Sequence, residues 1–272
     1  MRTPFLGVLT LALFCPGVLS AVAGEPDFSP RLHPWGRFEP GAWKVVRVLT
    51  ETLDDRGQVV STSTADTRTT LLDLDDDGVT LEVHACVEVA GKRFQAEPQT
   101  VKQGFHGEAT TAAPNQGDPA DGQVLVENRK VGCKVYRFEA AGLQEKTTFN
   151  LYCSMGLFPY VLKRECVTTT PDGKTVLSET GVELVATEMP VRLRGETRNG
   201  SYVKTVHKNS KGTVTTLAVL LPDVPGGIVS HTSKEVDTNG RVVRRSTLEL
   251  LDYKAEGDHG ANRRRSSRRG KP

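Results

Sequence analysis

The chain has 272 residues, 37 % of them hydrophobic and 25 % charged, with 35 Lys and Arg set against 33 Asp and Glu for a formal charge of +2. That length is ample to bury a core and lies in the range that all-β folds occupy as one domain. The near balance of charge excludes a chain that meets polyanions through its overall field, so a nucleic-acid partner is not expected.

The first residues carry a basic Arg2, an apolar run from Pro4 to Cys15, and the small residues Ala21, Val22 and Ala23 ahead of Gly24. This pattern predicts a secretory signal peptide over 1–23 and a periplasmic or extracellular protein. The run is shorter than the roughly 20 residues of a membrane span, and no later segment approaches that length, so no transmembrane segment is expected after cleavage. Phe14 stands before Cys15 where a lipidation signal needs a small residue, which argues against a lipid anchor.

Residues 24–42 form a Pro-rich arm bearing Trp35 and Phe38, with Trp43 just beyond. Aromatics set between prolines predict an extended lid across a sheet, because Pro is excluded from helix interiors and central strands. From Trp43 two runs rich in Val, Thr and Leu flank the turn signal Asp54–Gly57 and predict a hairpin. The next signal, Asp75–Gly78, leads into a strand with Val79, Leu81, Val83, Ala85, Val87 and Val89 on one face and Thr80, Glu82, His84, Cys86 and Glu88 on the other. Gly91 turns the chain back again. Residues 104–123 are small, polar and turn-forming, and predict a long surface loop inside one domain spanning 43–253, with two domains split near residue 115 as the alternative.

Residues 131–170 hold three of the five cysteines and the densest aromatic and β-branched run. They predict a three-stranded meander in which Cys133 and Cys153 lie nearly opposite, at a spacing that permits a bridge. Removal of the signal peptide takes Cys15 and leaves four cysteines; an even number in an exported chain suggests two disulfides, and if Cys133 pairs with Cys153, Cys86 and Cys166 are left for each other. Downstream, the turn signals Thr170–Gly173, Arg198–Ser201, Asn209–Gly212 and Asp237–Gly240 continue the rhythm of strands, with no amphipathic helix longer than two turns. A faint repeat runs through PGAWKVVRVLTETLDDRGQVV, PYVLKRECVTTTPDGKTV and PGGIVSHTSKEVDTNGRVV: a Pro, a Val-bearing strand, a Gly turn and another strand. The tail over 254–272 concentrates basic residues, leaves the body mildly acidic, and is expected to be disordered and able to touch an anionic envelope polymer.

The fold class expected is all-β: long antiparallel strands in a meander forming a curved sheet, half-barrel or sandwich, with little helix. The run LAVLLPDVPGGIVSHTSKEVDTNGRVV, and more loosely NLYCSMGLFPYVLKRECVTTTPDGK, resembles a pattern in bacterial exported carrier proteins of the lipoprotein-sorting type. In that pattern a strand bearing an exposed ligand face ends, a Pro-Gly turn follows, and the next hairpin begins. The mature chain also resembles uncharacterised secreted β-rich proteins of environmental bacteria. The carrier resemblance implies a curved half-barrel whose concave side takes acyl chains.

Signatures of chemistry are sparse. There is no GxSxG, HExxH, CxxC or phosphate-binding glycine loop. The histidines at 33, 84, 106, 207, 231 and 259 are not at metal spacing from one another. Asp73, Asp75, Asp77 and Gly78 match the start of a calcium loop, but His84 stands where the closing Glu belongs, so a plain turn is expected and no metal or cofactor. His84 lies beside Cys86, but an exported cysteine is expected to be bridged and not nucleophilic, and the carboxylate pairs Glu51 with Asp54 and Glu179 with Glu183 are read as strand decoration and not as an active site. The expected function is a non-catalytic exported binding or carrier protein for an apolar or lipid-like ligand. The alternatives are an envelope scaffold that adheres through its basic tail, and a hydrolase whose site is assembled from distant residues.

Overall fold

The computed structural model describes residues 30–76, 78–105, 119–141 and 144–256. The expected signal peptide and almost all of the basic tail lie outside the described residues. Fourteen antiparallel strands form one curved, unclosed sheet: β1 (Trp43–Leu53), β2 (Val59–Asp75), β3 (Gly78–Val89), β4 (Lys92–Gln95), β5 (Gln99–Gln103), β6 (Ala120–Val126), β7 (Arg129–Ala141), β8 (Lys146–Cys153), β9 (Val161–Thr169), β10 (Val176–Leu193), β11 (Glu196–Asn209), β12 (Gly212–Leu220), β13 (Ile228–Asp237) and β14 (Val242–Lys254). The only helix among the described residues is a single 3-10 turn, Pro30–Leu32. Each strand neighbours the next in sequence, except that β14 pairs with β1 and the chain passes between β5 and β6 from one free edge of the sheet to the other. β4 and β5 share one edge by pairing with different stretches of β3, and β6 forms the other edge.

Local chemistry fixes the hairpins. In the β1–β2 turn the Asp54 carboxylate accepts the N–H groups of Arg56 and Gln58, both at 2.9 Å, and Gly57 takes the positive φ of 75° that the turn requires. The β13–β14 turn repeats this at Asp237, which accepts from Asn239 and Arg241. All three turns close with a glycine N–H to carbonyl bond: Gly57 to Asp54, Gly240 to Asp237 and, between β9 and β10, Gly173 to Thr170. The three members of the faint repeat are thus three hairpins with one turn grammar. Their Pro-bearing lead-ins converge at the opposite end of the strands, where Ala42, Val224, Pro225, Gly226 and Gly227 are buried.

Three local expectations are corrected. The signal Arg198–Ser201 is no turn but part of β11; a Cβ at Gly200 would stand 2.6 Å from Val191 Cγ2, so glycine there serves a close approach. The real turn is Arg194–Gly195, with φ of 51° and 85°, a pair of positive values suited to a tight hairpin. β10 runs on through Met189 and Pro190 by way of two irregularities in register. Ala120–Gln123, expected inside the long loop, pairs with Gly132–Val135 as edge strand, because ladder bonds need backbone and not apolar side chains. The described part of the arm, from residue 30, is coiled through turns and not extended: Gly36 and Phe38 donate to the carbonyls of His33 and Trp35.

The core lies on the inner face. One row crosses six strands as Val48, Leu248, His231, Ala218, Val203 and Leu184, every member buried. Three sets of groups pack along the sheet. Leu32 packs with Phe138, Phe149 and Leu151, and Trp35 packs with Leu71, Val79, Leu81 and Phe105. Val126 and Cys133 from the β6–β7 edge close over Leu162, Leu184 and Val203. Phe138 and Phe149, opposite one another on β7 and β8, stack at 4.6 Å.

Candidate functional site

The inner face divides into two halves. The half nearer the lead-ins is filled by the chain itself. Gly226 N–H donates to the Pro34 carbonyl at 3.3 Å, and Ser201 Oγ donates to the Phe158 carbonyl at 2.9 Å. Arg37 sits 5.4 to 5.8 Å from the rings of Phe38, Phe158 and Tyr160 and donates to the Tyr160 hydroxyl at 3.2 Å. The cavity left between His33, Arg37, Tyr160 and Leu220 is about 10 Å³, room for about one water and far below the several hundred Å³ of a ligand pocket. Lys44 points to this half with its ammonium 5.6 Å from the Trp35 ring, and burial pushes its pKa down to about 8.

The other half is lined by hydroxyl groups. Ser63, Thr50, Ser246, Ser233, Thr216 and Thr205 stand directly opposite one another across β2, β1, β14, β13, β12 and β11. Thr50 is buried and the rest are half-buried. Thr216 donates to Ser233 at 3.0 Å, a cross-strand bond of the kind that stabilises such pairs. The next row outward holds Thr52, Arg244, Glu235, Val214, His207 and Thr180. There Arg244 pairs with Glu235 at 3.2 Å, and the Thr180 hydroxyl lies 2.8 Å from His207 Nδ1. His231, at the boundary with the apolar row, has its proton affinity lowered by burial, so a neutral imidazole offering one donor and one acceptor faces the hydroxyl row.

The residues singled out in the sequence are not brought together. Cys86, Cys133, Cys153 and Cys166 are free thiols, so neither expected bridge is formed. Lys134, not Cys133, lies opposite Cys153. A shift of one residue turns a side chain to the other face, which places Cys153 with Phe138 and Phe149 and Cys133 with Val126 and Leu162. Cys86 and Cys166 have seven strands between them. Burial pushes the Cys153 thiol up to about 12 and raises that of Cys133 as well, which keeps both protonated and unreactive.

Elsewhere, His84 Nε2 meets Glu82 at 2.8 Å, and the Cys86 thiol receives Arg93 Nε at 2.8 Å, so the imidazole and the thiol are engaged separately. Asp75 accepts from Gly78 N–H at 3.0 Å and meets Lys102 at 2.8 Å. Glu51 pairs with Arg245 while Asp54 caps its turn. Among the described residues no group of three His, Cys, Asp or Glu is placed to hold a metal ion, and no helix is long and apolar enough to cross a membrane.

No family profile matches the chain, and no curated protein matches it, lipoprotein-sorting carriers included. Two solved structures are similar in outline. One is a protein of Bacteroides fragilis predicted to be exported and described as having a YmcC-like fold, 11 % identical, with 80 % of this chain and 97 % of that chain covered at a TM-score of 0.31. The other is a predicted lipoprotein of Parabacteroides distasonis, 13 % identical, with 79 % of this chain and 97 % of that chain covered, also at 0.31. The functional reading rests on the inner face itself.

Proposed function

We propose that the chain is an exported, non-catalytic binding protein that holds its ligand on the open half of the inner face. The observation that carries this reading is the row of six hydroxyl residues continuous across six strands. Solvent-facing strand positions elsewhere on the sheet mix Lys204, Lys234, Arg245 and Glu249 with Thr232, Thr247 and Leu217, whereas this row carries only small groups able both to donate and to accept. The expectation of an acyl chain in an apolar groove is modified: the apolar half is occupied by Leu32, Trp35, Val224 and their neighbours. A ligand that reaches the sheet without displacing them meets hydroxyls first. Export is supported by Arg2, the apolar run to Cys15 and the small residues before Gly24.

Two measurements test the reading. Native mass spectrometry of protein recovered from the exporting host is expected to show a mass above that of the polypeptide in the wild type, absent in Thr205→Arg, which fills the row. A clean polypeptide mass, or an adduct that survives Thr205→Arg, contradicts the binding reading. Terminal sequencing of the exported protein is expected to begin at Gly24, and protein retained in the cytoplasm with Met1 or Arg2 at its start contradicts export.

A further inference from the structure

We propose that the open half carries a saccharide site centred on Thr50 and His231, in which a neutral sugar chain lies along the hydroxyl row and crosses the strands. This names the ligand class for the binding reading above and rests on it. Seven polar side chains are buried among the described residues. Five are bonded within the protein: His33 accepts from Trp35 N–H, Thr147 and Thr168 bond each other, Thr187 donates to Glu127, and Ser201 donates to Phe158. Thr50 and His231, each 7 % exposed, have no hydrogen-bond partner among the described residues. Neither has a wholly enclosed polar atom, so both are open, at the edge of the covered half, to water or to a ligand.

These two side chains share one patch. Thr50 on β1 and Ser233 on β13 both stand opposite Ser246 on β14, and His231 lies two residues along β13 from Ser233 on the same face. The chemistry of the patch narrows the ligand. Arg244 and Glu235, the charged side chains in the adjoining outer row, neutralise each other, so an ion finds no counter-charge. An acyl chain would strip water from the imidazole and the hydroxyls and return no hydrogen bond. A peptide strand directs its donors and acceptors sideways and is better matched by a sheet edge than by a face. A sugar hydroxyl both donates and accepts, as do the serine and threonine hydroxyls, and a neutral imidazole supplies one of each role. The strand spacing of about 4.8 Å sets the hydroxyls at intervals close to the advance per ring of an extended pyranose chain.

The test is calorimetric titration of the mature chain with neutral glucan, mannan, galactan and chitin oligosaccharides, with polygalacturonate and palmitate as the anionic and apolar counterparts. At least one neutral oligosaccharide is expected to bind, at least tenfold more weakly to Thr50→Val and to His231→Leu, both chosen to fit an apolar neighbourhood and to leave the thermal midpoint within a few degrees. Thr216→Val supplies a third, half-exposed position should either variant fold poorly. Failure of every neutral oligosaccharide to bind, or binding indifferent to these variants, overturns the proposal. Binding of palmitate or polygalacturonate alone, weakened by the same variants, overturns the neutral-sugar assignment while supporting the binding reading. No binding together with a clean native mass overturns both.

Discussion

Along β1, Lys44, Val46, Val48 and Thr50 lie on one side of a single strand, yet the first three belong to the covered half of the inner face and Thr50 to the open half. β14 changes in the same way from Leu250 and Leu248 to Ser246 and Arg244, β12 from Leu220 and Ala218 to Thr216, and β11 from Val203 to Thr205. The composition switches at one height on adjacent strands. A curved sheet buries its inner face only where something is packed against it, and here that something is the arm, the Pro-bearing lead-ins and the β6–β7 edge. Where they stop, hydroxyl side chains take over on β1, β14, β13, β12 and β11, with Val214 the apolar member of the outer row. The two halves therefore differ in what substitution costs: packing is at stake in one and, on the proposed reading, contact with a ligand in the other.

The largest effect expected is at the covered half. Trp35→Ala removes a buried indole from the cluster with Leu71, Val79 and Leu81 and is expected to cost about 3–5 kcal/mol in denaturant unfolding. A cost near zero would mean that the arm is not seated. Gly226→Ala is expected to cost about 2–4 kcal/mol, because its φ is +70° and the new Cβ would stand 2.7 Å from Trp35 Nε1 and 2.8 Å from Lys44 Nζ.

Lys44 gives an effect of opposite sign. Its pKa is lowered by burial from 10.5 to about 8, so between those values the unfolded chain holds a proton that the folded chain has lost. Stability then rises as pH increases from 8 to 10.5, and the full penalty applies below 8. Lys44→Met is expected to stabilise the protein by about 1–3 kcal/mol at pH 7 and to abolish this rise, read as the difference between the wild-type and variant pH profiles. A destabilised variant would show that the ammonium is better accommodated than its surroundings imply.

The smallest effects belong to the open half and to the exposed turns. Thr216→Val is expected to change stability by less than about 0.5–1 kcal/mol; a loss as large as that of Trp35→Ala would erase the distinction between the halves. Asp237, whose pKa is lowered to about 2 by the Arg241 backbone N–H, the Arg241 guanidinium and the Asn239 N–H, contributes stability above its unfolded pKa that is lost as pH falls from about 4 towards 2. Asp237→Ala should remove that small acid dependence from the thermal midpoint.

Much of the covered half was legible in the sequence. The alternation Val79, Leu81, Val83 shows which face of β3 is inward, and Asp54 with Gly57 and Asp237 with Gly240 mark turns whose side-chain bonds are local. The open half was not legible, because its row is composed by register. Thr50 meets Ser246 across a pairing of the first strand with the last, and nothing within either strand states that pairing. The cysteines failed for the same reason: a displacement of one residue between β7 and β8 decides whether Cys133 and Cys153 share a face. The Arg198–Ser201 signal misled because glycine serves close packing as well as positive φ, and sequence alone does not separate the two uses.

The division of the inner face is tested most directly by thiol alkylation. In a chain carrying Cys86→Ser, whose remaining described cysteines are buried, Ser233→Cys is placed in the open row and Ala218→Cys in the covered row on the neighbouring strand. The account predicts that the thiol at 233 is alkylated far faster than the thiol at 218 under native conditions, with equal rates after unfolding. Equal native rates would contradict it: fast at both positions would mean that the apolar half is uncovered, and slow at both that the sheet closes over its hydroxyl row.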